Sequence, residues 1–220
     1  MNEEPDWADA AEQRVLDQAL VLAPEIGWNA GLAARAGAAA GLSAGEMELL
    51  LPNGARDLAA LLSRRHDRAA LKALANTDPG ALKIRARITL GAEARLAAAF
   101  ADEPALRRGA MFLASPPNVP LALRLAWESA DSLWRWAGDV AVDENHYSKR
   151  AILSAILMST LAVRLARGRD AASAHLAARI DNVMRFETWK AKARPVNLLQ
   201  EVAGALGRLR YGAADPLPRG

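Results

Sequence analysis

The chain has 220 residues, a formal net charge of +3, no cysteine and 52% hydrophobic residues. That length buries one sizeable core. Without cysteine, disulfides, thiolate zinc sites and iron–sulfur clusters are excluded. Ala and Leu dominate and β-branched residues are few, which predicts an all-α protein. The positive charge is concentrated late: Arg185, Lys190, Lys192, Arg194, Arg208 and Arg210 face only Glu187 and Glu201. Such a tail suits an anionic lipid surface or nucleic acid. The start, MNEEPDW, is acidic and resembles neither a secretory signal nor an Arg-rich presequence. The longest apolar stretch, Ala151 to Val163, is shorter than the roughly 18 residues a membrane span needs. The chain is therefore expected to be soluble, or peripheral at a membrane.

Periodicity predicts a first helix from about Trp7 to Ala23, with Val15, Leu16, Ala19, Leu22 and Ala23 along its apolar stripe. Gly27-Trp28-Asn29 reads as a turn, and a short second helix covers about Gly31 to Ala40. Ser43-Ala44-Gly45-Glu46 has capping-box spacing and opens a third. Pro52-Asn53-Gly54 ends it, and a fourth runs from about Arg56 to Leu74. Helices two and three with their Gly-containing turn read as a helix-turn-helix-like module. A DNA-binding version needs donors on the third helix. Here that helix offers Glu46 and Glu48 and no Lys or Arg.

Asp78-Pro79 predicts the start of a fifth helix, about Pro79 to Phe100. Lys83, Arg85 and Arg87 read as a solvated face. Glu103-Pro104 opens a sixth helix, ending near Leu113, and Ser115-Pro116-Pro117-Asn118 is a loop. The seventh, about Val119 to Ala137, and the eighth, from near Asp143 or Asn145, are apolar on more than one face, as expected of central helices. In the seventh, Leu121, Leu125, Ser129, Ser132 and Trp136 form one stripe; Leu123, Ala126, Ala130, Leu133 and Ala137 form another. A ninth spans about Asp170 to Ala193, with Leu176, Ile180, Val183 and Phe186 inward. The last, opened by Pro195, carries Val196, Leu199, Val202, Leu206 and Leu209 on one side. After a basic linker it suits either a membrane interface or docking on the body. Residues 213–220 read as a disordered end.

No P-loop, G-x-S-x-G or G-x-G-x-x-G motif occurs. The three histidines, His66, His146 and His175, lie in different helices, and Asp143 with His146 lacks the further ligands a metal site needs. Neither a catalytic constellation, a cofactor nor a metal is expected. The densest chemistry is Trp134 to Arg150, WRWAGDVAVDENHYSKR. Its tryptophans suit either core anchors or a binding surface, and its polar run suits a helix cap that also forms a docking patch.

The pattern W-x-W-A-G-D followed by D-x-N-H-Y-S-K-R-A-I-L resembles the hallmark of the Coq-nine family of ubiquinone-biosynthesis accessory proteins. Ala19-Leu20 through Pro24-Glu25-Ile26-Gly27-Trp28 and Gly41-Leu42-Ser43 resemble that family's N-terminal pattern. The resemblance runs to about Arg210. It implies an all-α, TetR-like bundle of about ten helices that has lost DNA binding. Residues 1–75 would be the helix-turn-helix-like module, 76–194 the lipid-binding body and 195–212 an amphipathic helix engaging membrane and lipid.

Family members are similar to lipid-binding proteins that present a ubiquinone precursor to a membrane-associated di-iron hydroxylase. They are usually dimeric and carry no cofactor of their own. By position, Asp143, Asn145, His146, Tyr147, Lys149 and Arg150 match the family's partner-facing patch. The expected lipid pocket uses Leu125, Ser129, Leu133, Ile152, Ile156 and Thr160, and the expected membrane face is Val196, Leu199, Val202, Leu206 and Leu209. The expected ligand is an isoprenoid quinone precursor or a phospholipid. The expected place is the bacterial cytoplasm, peripheral at the inner membrane. The alternatives are a TetR-like regulator that binds DNA and a hydrophobic effector, and a plain protein adaptor.

Overall fold

The computed structural model describes residues 7–139 and 144–192, without the side chains of 144–146, 184 and 186–192. Among these residues the fold is entirely helical, consistent with an all-α, TetR-like bundle. The helices are α1 (Trp7–Ile26), α2 (Ala30–Ala39), α3 (Ala44–Leu50), α4 (Ala55–Ala73), α5 (Ile84–Phe100), α6 (Glu103–Ala114), α7 (Val119–Trp136), α8 (Glu144–Arg167) and α9 (Arg169–Lys192). The described residues fall into two units that divide between Ile180 and Asp181. Of the second unit, the described residues are the end of α9. The predicted last helix, with Val196, Leu199, Val202, Leu206 and Leu209, lies outside the described residues.

In the first unit, α4 is the central strut. It packs on α1, α2, α5 and α7. Its Leu58 and Leu62 join Val15, Leu16, Leu32 and Ala105 in one core, while Ala60 packs with Leu121 and Leu125 in another. The predicted N-terminal module therefore shares its core with the body. Local signals set the helix ends. Asn29 caps α2 by accepting from Leu32 N at 3.2 Å. The Ser43–Glu46 capping box forms as expected, with Ser43 N donating to Glu46 Oε2 at 2.7 Å. That places the Glu46 carboxylate on the cap and holds it below the usual carboxylate range. The exposed side of α3 thus presents acidic groups, the wrong sign for phosphate.

Arginine closes three helix C-termini, where carbonyls lack intrahelical partners and positive charge is favourable. Arg108 donates to Pro24 O at the end of α1, and Arg107 to Leu165 O near the end of α8. Arg87 donates from Nη1 to Ala137 O at the end of α7, 2.7 Å away. Lys83 and Arg85 are exposed as expected, but Arg87 departs from the predicted solvated face because it reaches this end.

The start of α5 is a second departure. Asp78 and Pro79 begin a 3-10 turn, Pro79–Ala81, with Asp78 accepting from Gly80 N at 2.8 Å. The backbone is extended at Leu82 and Lys83, and α5 begins at Ile84. Arg87 Nε occupies Leu82 O, so a side chain takes that carbonyl. On α7, Leu123 belongs to a predicted apolar stripe yet is exposed, whereas Ala130, Leu133 and Ala137 are buried. On α9, Leu176 and Ile180 are buried as expected.

Candidate functional site

The α7–α8 corner carries most of the distinctive residues. Gly138 adopts φ +86°, a region that favours glycine, and Asp139 N returns to Trp134 O at 3.0 Å. This turn delivers the Asp139 carboxylate to α8. There Arg150, only 1% exposed, donates Nε to Asp131 Oδ1 at 2.5 Å and Nη1 to Asp139 Oδ2 at 3.1 Å. Lys149 Nζ reaches the other Asp139 oxygen at 2.8 Å and lies over the Trp134 ring. Trp134 Nε1 donates to Lys149 O. Burial alone pushes Asp139 up, but hydrogen bonds from Lys149 and Arg150 hold it below the usual range.

This geometry corrects one expectation. Arg150, expected in the partner-facing patch, is a buried clamp between α7 and α8. It lies on the same helical face as the buried Leu153, Ser154 and Leu157. Trp134 is buried and anchors the corner. Tyr147 is 65% exposed and its ring stands 6.1 Å from that of Trp127. Lys149 is partly exposed. Asn145 and His146 lie in α8, their side chains outside those described; Asp143 is outside the described residues altogether.

The same two helices wall a cavity of about 330 Å³. Ala59, Leu62, Ser63 and His66 line it from α4, and Arg95, Leu96 and Ala99 from α5. Leu106, Gly109, Ala110 and Leu113 come from α6, and Val119, Ala122, Leu125, Ala126 and Ser129 from α7. The α8 wall is Leu157, Met158, Leu161, Ala162 and Leu165. Trp28 closes one side, its Nε1 donating to Ala55 O at 2.9 Å. The Trp28 ring packs against α6 at Gly109, where an added Cβ would lie at an ordinary contact distance of 3.6 Å. Val119 and Met158, 40% and 38% exposed, mark where the lining meets solvent. The volume is at the lower end of small-molecule sites, which run from about 300 to 1,000 Å³.

Of the residues expected to line a pocket, Leu125 and Ser129 do so. Leu133 instead packs against α5 at Gly91, where an added Cβ would lie 3.2 Å from its Cδ2. Ile156 and Thr160 are buried outside the lining, and Ile152 is half-buried outside it. Thr160 is fully buried with no partner for its Oγ1 among the described residues. The α8 face in the cavity is rotated from the expected one.

The sequence assigned no role to His66, Arg95, Asp67 or Asp102. The spacing of Ser63 and His66 with Leu62 and Ala70 on one face of α4 was the available signal. Arg95 Nε donates to Asp67 Oδ1 at 2.5 Å and its Nη2 to Ser63 Oγ at 3.1 Å. Ser129 Oγ donates to the same Asp67 oxygen at 2.7 Å. His66 Nε2 lies 3.1 Å from Asp102 Oδ2. Burial, then the Arg95 charge, lower the His66 pKa to about 4, against the opposing pull of Asp102. The imidazole is therefore neutral near pH 7. Among the described residues no group of three or more His, Cys, Asp or Glu could hold a metal ion.

Two stability predictions follow from these geometries. Arg150→Ala removes the buried guanidinium between α7 and α8, leaving Asp139 to Lys149 and Asp131 to Arg135, and is expected to cost about 3 kcal/mol in urea unfolding. Arg150→Lys, keeping charge but losing the fork, should lose less. His66 protonates at about 6.5 when unfolded and about 4 when folded. The unfolded chain thus binds more protons between those values, and stability falls as pH drops from about 6.5 to about 4. Unfolding temperatures across that range should show this slope in the native chain and a shallower one in His66→Asn.

Residues 119–187, which include the α7 and α8 walls, match the model of the COQ9 family. The chain is 28% identical over 175 residues to the ubiquinone biosynthesis protein COQ9-B, mitochondrial, of Xenopus laevis, covering 74% of this chain and 58% of that protein. It is 29% identical over 174 residues to the human ubiquinone biosynthesis protein COQ9, mitochondrial, covering 72% and 52%. The chain spans about half the length of the curated relatives it matches. The family match falls on the helices that carry the Arg150 clamp and much of the cavity wall, and the similarity to these relatives extends well beyond it: the chain is similar to COQ9 proteins over most of its length.

Proposed function

We propose that this chain is a non-catalytic lipid carrier of ubiquinone biosynthesis that presents a hydrophobic quinone precursor to a membrane-associated di-iron hydroxylase. The observation that carries this reading is the apolar cavity, walled largely by Ala and Leu and opening beside Val119 and Met158. Removing an isoprenoid chain from water there gains roughly 25 cal/mol per Å² of apolar area. The cavity is too small for a long polyprenyl tail, so the tail would leave through the opening. The names of the relatives point to the same pathway.

The remaining parts of the reading concern surfaces. No helix among the described residues is long and apolar enough to cross a membrane. Membrane contact is assigned to Val196, Leu199, Val202, Leu206 and Leu209, with the protein peripheral at the membrane and acting as a homodimer. The hydroxylase-facing patch is assigned to Asp143, Asn145, His146, Tyr147 and Lys149, with Arg150 holding it from beneath. Exposed Tyr147 beside Trp127 supplies the kind of aromatic anchor that dominates protein interfaces.

Mass spectrometry of solvent extracts from gently purified protein should find a co-purifying isoprenoid. Ala122→Trp, which fills the cavity, should lower its amount severalfold without altering the helical circular dichroism. Protein that is repeatedly empty and also ignores liposomes overturns the carrier reading. For the patch, Tyr147→Ala should weaken hydroxylase pull-down about tenfold or more, as an interface anchor does, while leaving the unfolding midpoint in place. Unchanged pull-down removes Tyr147 from the interface.

A further inference from the structure

The cavity is not apolar throughout: Ser63, His66, Arg95 and Ser129 all line it. Their mutual bonds leave a defined set of valences. Asp102 as a carboxylate can only accept, so His66 Nε2 carries the proton of their 3.1 Å contact. The other ring nitrogen, Nδ1, then holds a lone pair, and the side chain's bond among the described residues is made through Nε2. Arg95 commits Nε to Asp67 and Nη2 to Ser63, leaving Nη1 without a bonded partner among the described residues. Ser63 Oγ accepts from Arg95 and keeps its own proton to donate. The lining therefore offers one acceptor and two donors within an otherwise apolar wall.

The charge balance narrows what fits. One guanidinium, Arg95, stands with two carboxylates, Asp67 and Asp102, beside an imidazole that is neutral near pH 7. A phosphate or carboxylate head would meet a net negative surround, and an ammonium head would meet Arg95. Both would also lose hydration on entering a largely apolar cavity. An uncharged head avoids these costs.

We propose that Ser63, His66 and Arg95 form a head-group subsite for an uncharged apolar ligand that carries a hydroxyl next to a second oxygen. The hydroxyl donates to His66 Nδ1, and the second oxygen accepts from Arg95 Nη1 or Ser63 Oγ. Asp67, Asp102 and Ser129 are positioning residues: they hold Arg95 and the imidazole in place. A hydroxylated aromatic ring with an alkoxy neighbour and a monoglyceride head both present this chemistry. The assignment rests on the carrier reading for the ligand's tail, but not for its polar end.

Calorimetric titration of the full chain with four probes tests it: a geranylated 2-methoxyphenol, the same molecule with its hydroxyl O-methylated, a monoglyceride and a lysophosphatidic acid. The native chain should bind the phenol about tenfold more tightly than its methyl ether, the size of one good buried hydrogen bond. The lysophosphatidic acid should bind most weakly. In His66→Phe the gap between phenol and ether should close while ether binding persists. Ser63→Ala, a milder change, should weaken phenol and ether alike through loss of the second-oxygen donor. Tighter binding of the phenol than of the monoglyceride assigns the head to a ring, and the reverse to a glyceride; either supports the subsite. Phenol and ether binding within twofold of each other in the native chain overturns it and leaves the carrier reading standing. Preference for the lysophosphatidic acid also overturns it. Failure of all four probes to bind removes both.

Discussion

The arrangement of α7 and α8 depends on one buried guanidinium. Arg150 spans Asp131 on α7 and Asp139 just after its end, so one side chain fixes both the distance and the register of the two helices. A charge buried this deeply is tolerated only when its donors are matched by well-placed acceptors. The Gly138 turn supplies one of them, and Lys149 shares it. Because the same helices wall the cavity, the clamp sets the shape of the site from outside it. A dense polar run can thus act on the site through architecture, with no contact to the cavity.

The same use of arginine recurs at the ends of helices. Arg87, Arg107 and Arg108 each satisfy carbonyls that a helix C-terminus leaves open. Each joins two helices distant in sequence. In a core built mainly from Ala and Leu, whose side chains pack in many registers, such directional contacts choose among them. Arg95 belongs to this group, but its partner network lies along the cavity. There a structural ion pair and a recognition surface coincide.

Much of the fold was legible in the sequence, because the determinants are local. The Ser43–Glu46 capping box, the Gly27 turn, the apolar stripe of α1 and the multi-faced character of α7 and α8 follow from spacing alone. The acidic character of α3 was equally plain. The candidate site was only half legible. Leu125 and Ser129 belong to the first of the two predicted α7 stripes, and that stripe reaches the cavity. On α8 the sequence offers apolar residues on several faces, and nothing local says which turns to the cavity. The expected Ile152, Ile156 and Thr160 differ from the observed Leu157, Met158, Leu161, Ala162 and Leu165 by a rotation of the helix.

What the sequence by itself determined is the helical class, the positions of most helix ends, and the resemblance to COQ9 proteins. Those depend on hydrogen bonds and apolar spacing within a few residues of one another. The tertiary structure alone decided that Arg150 is buried rather than presented, that Arg87 leaves the solvated face, and that His66 and Arg95 join Ser63 and Ser129 around one cavity. Each of these depends on a partner at least 11 residues away, and in most cases far more, brought close by packing. A charged side chain reads as exposed until the acceptors that would bury it are known, and those acceptors are supplied by other helices.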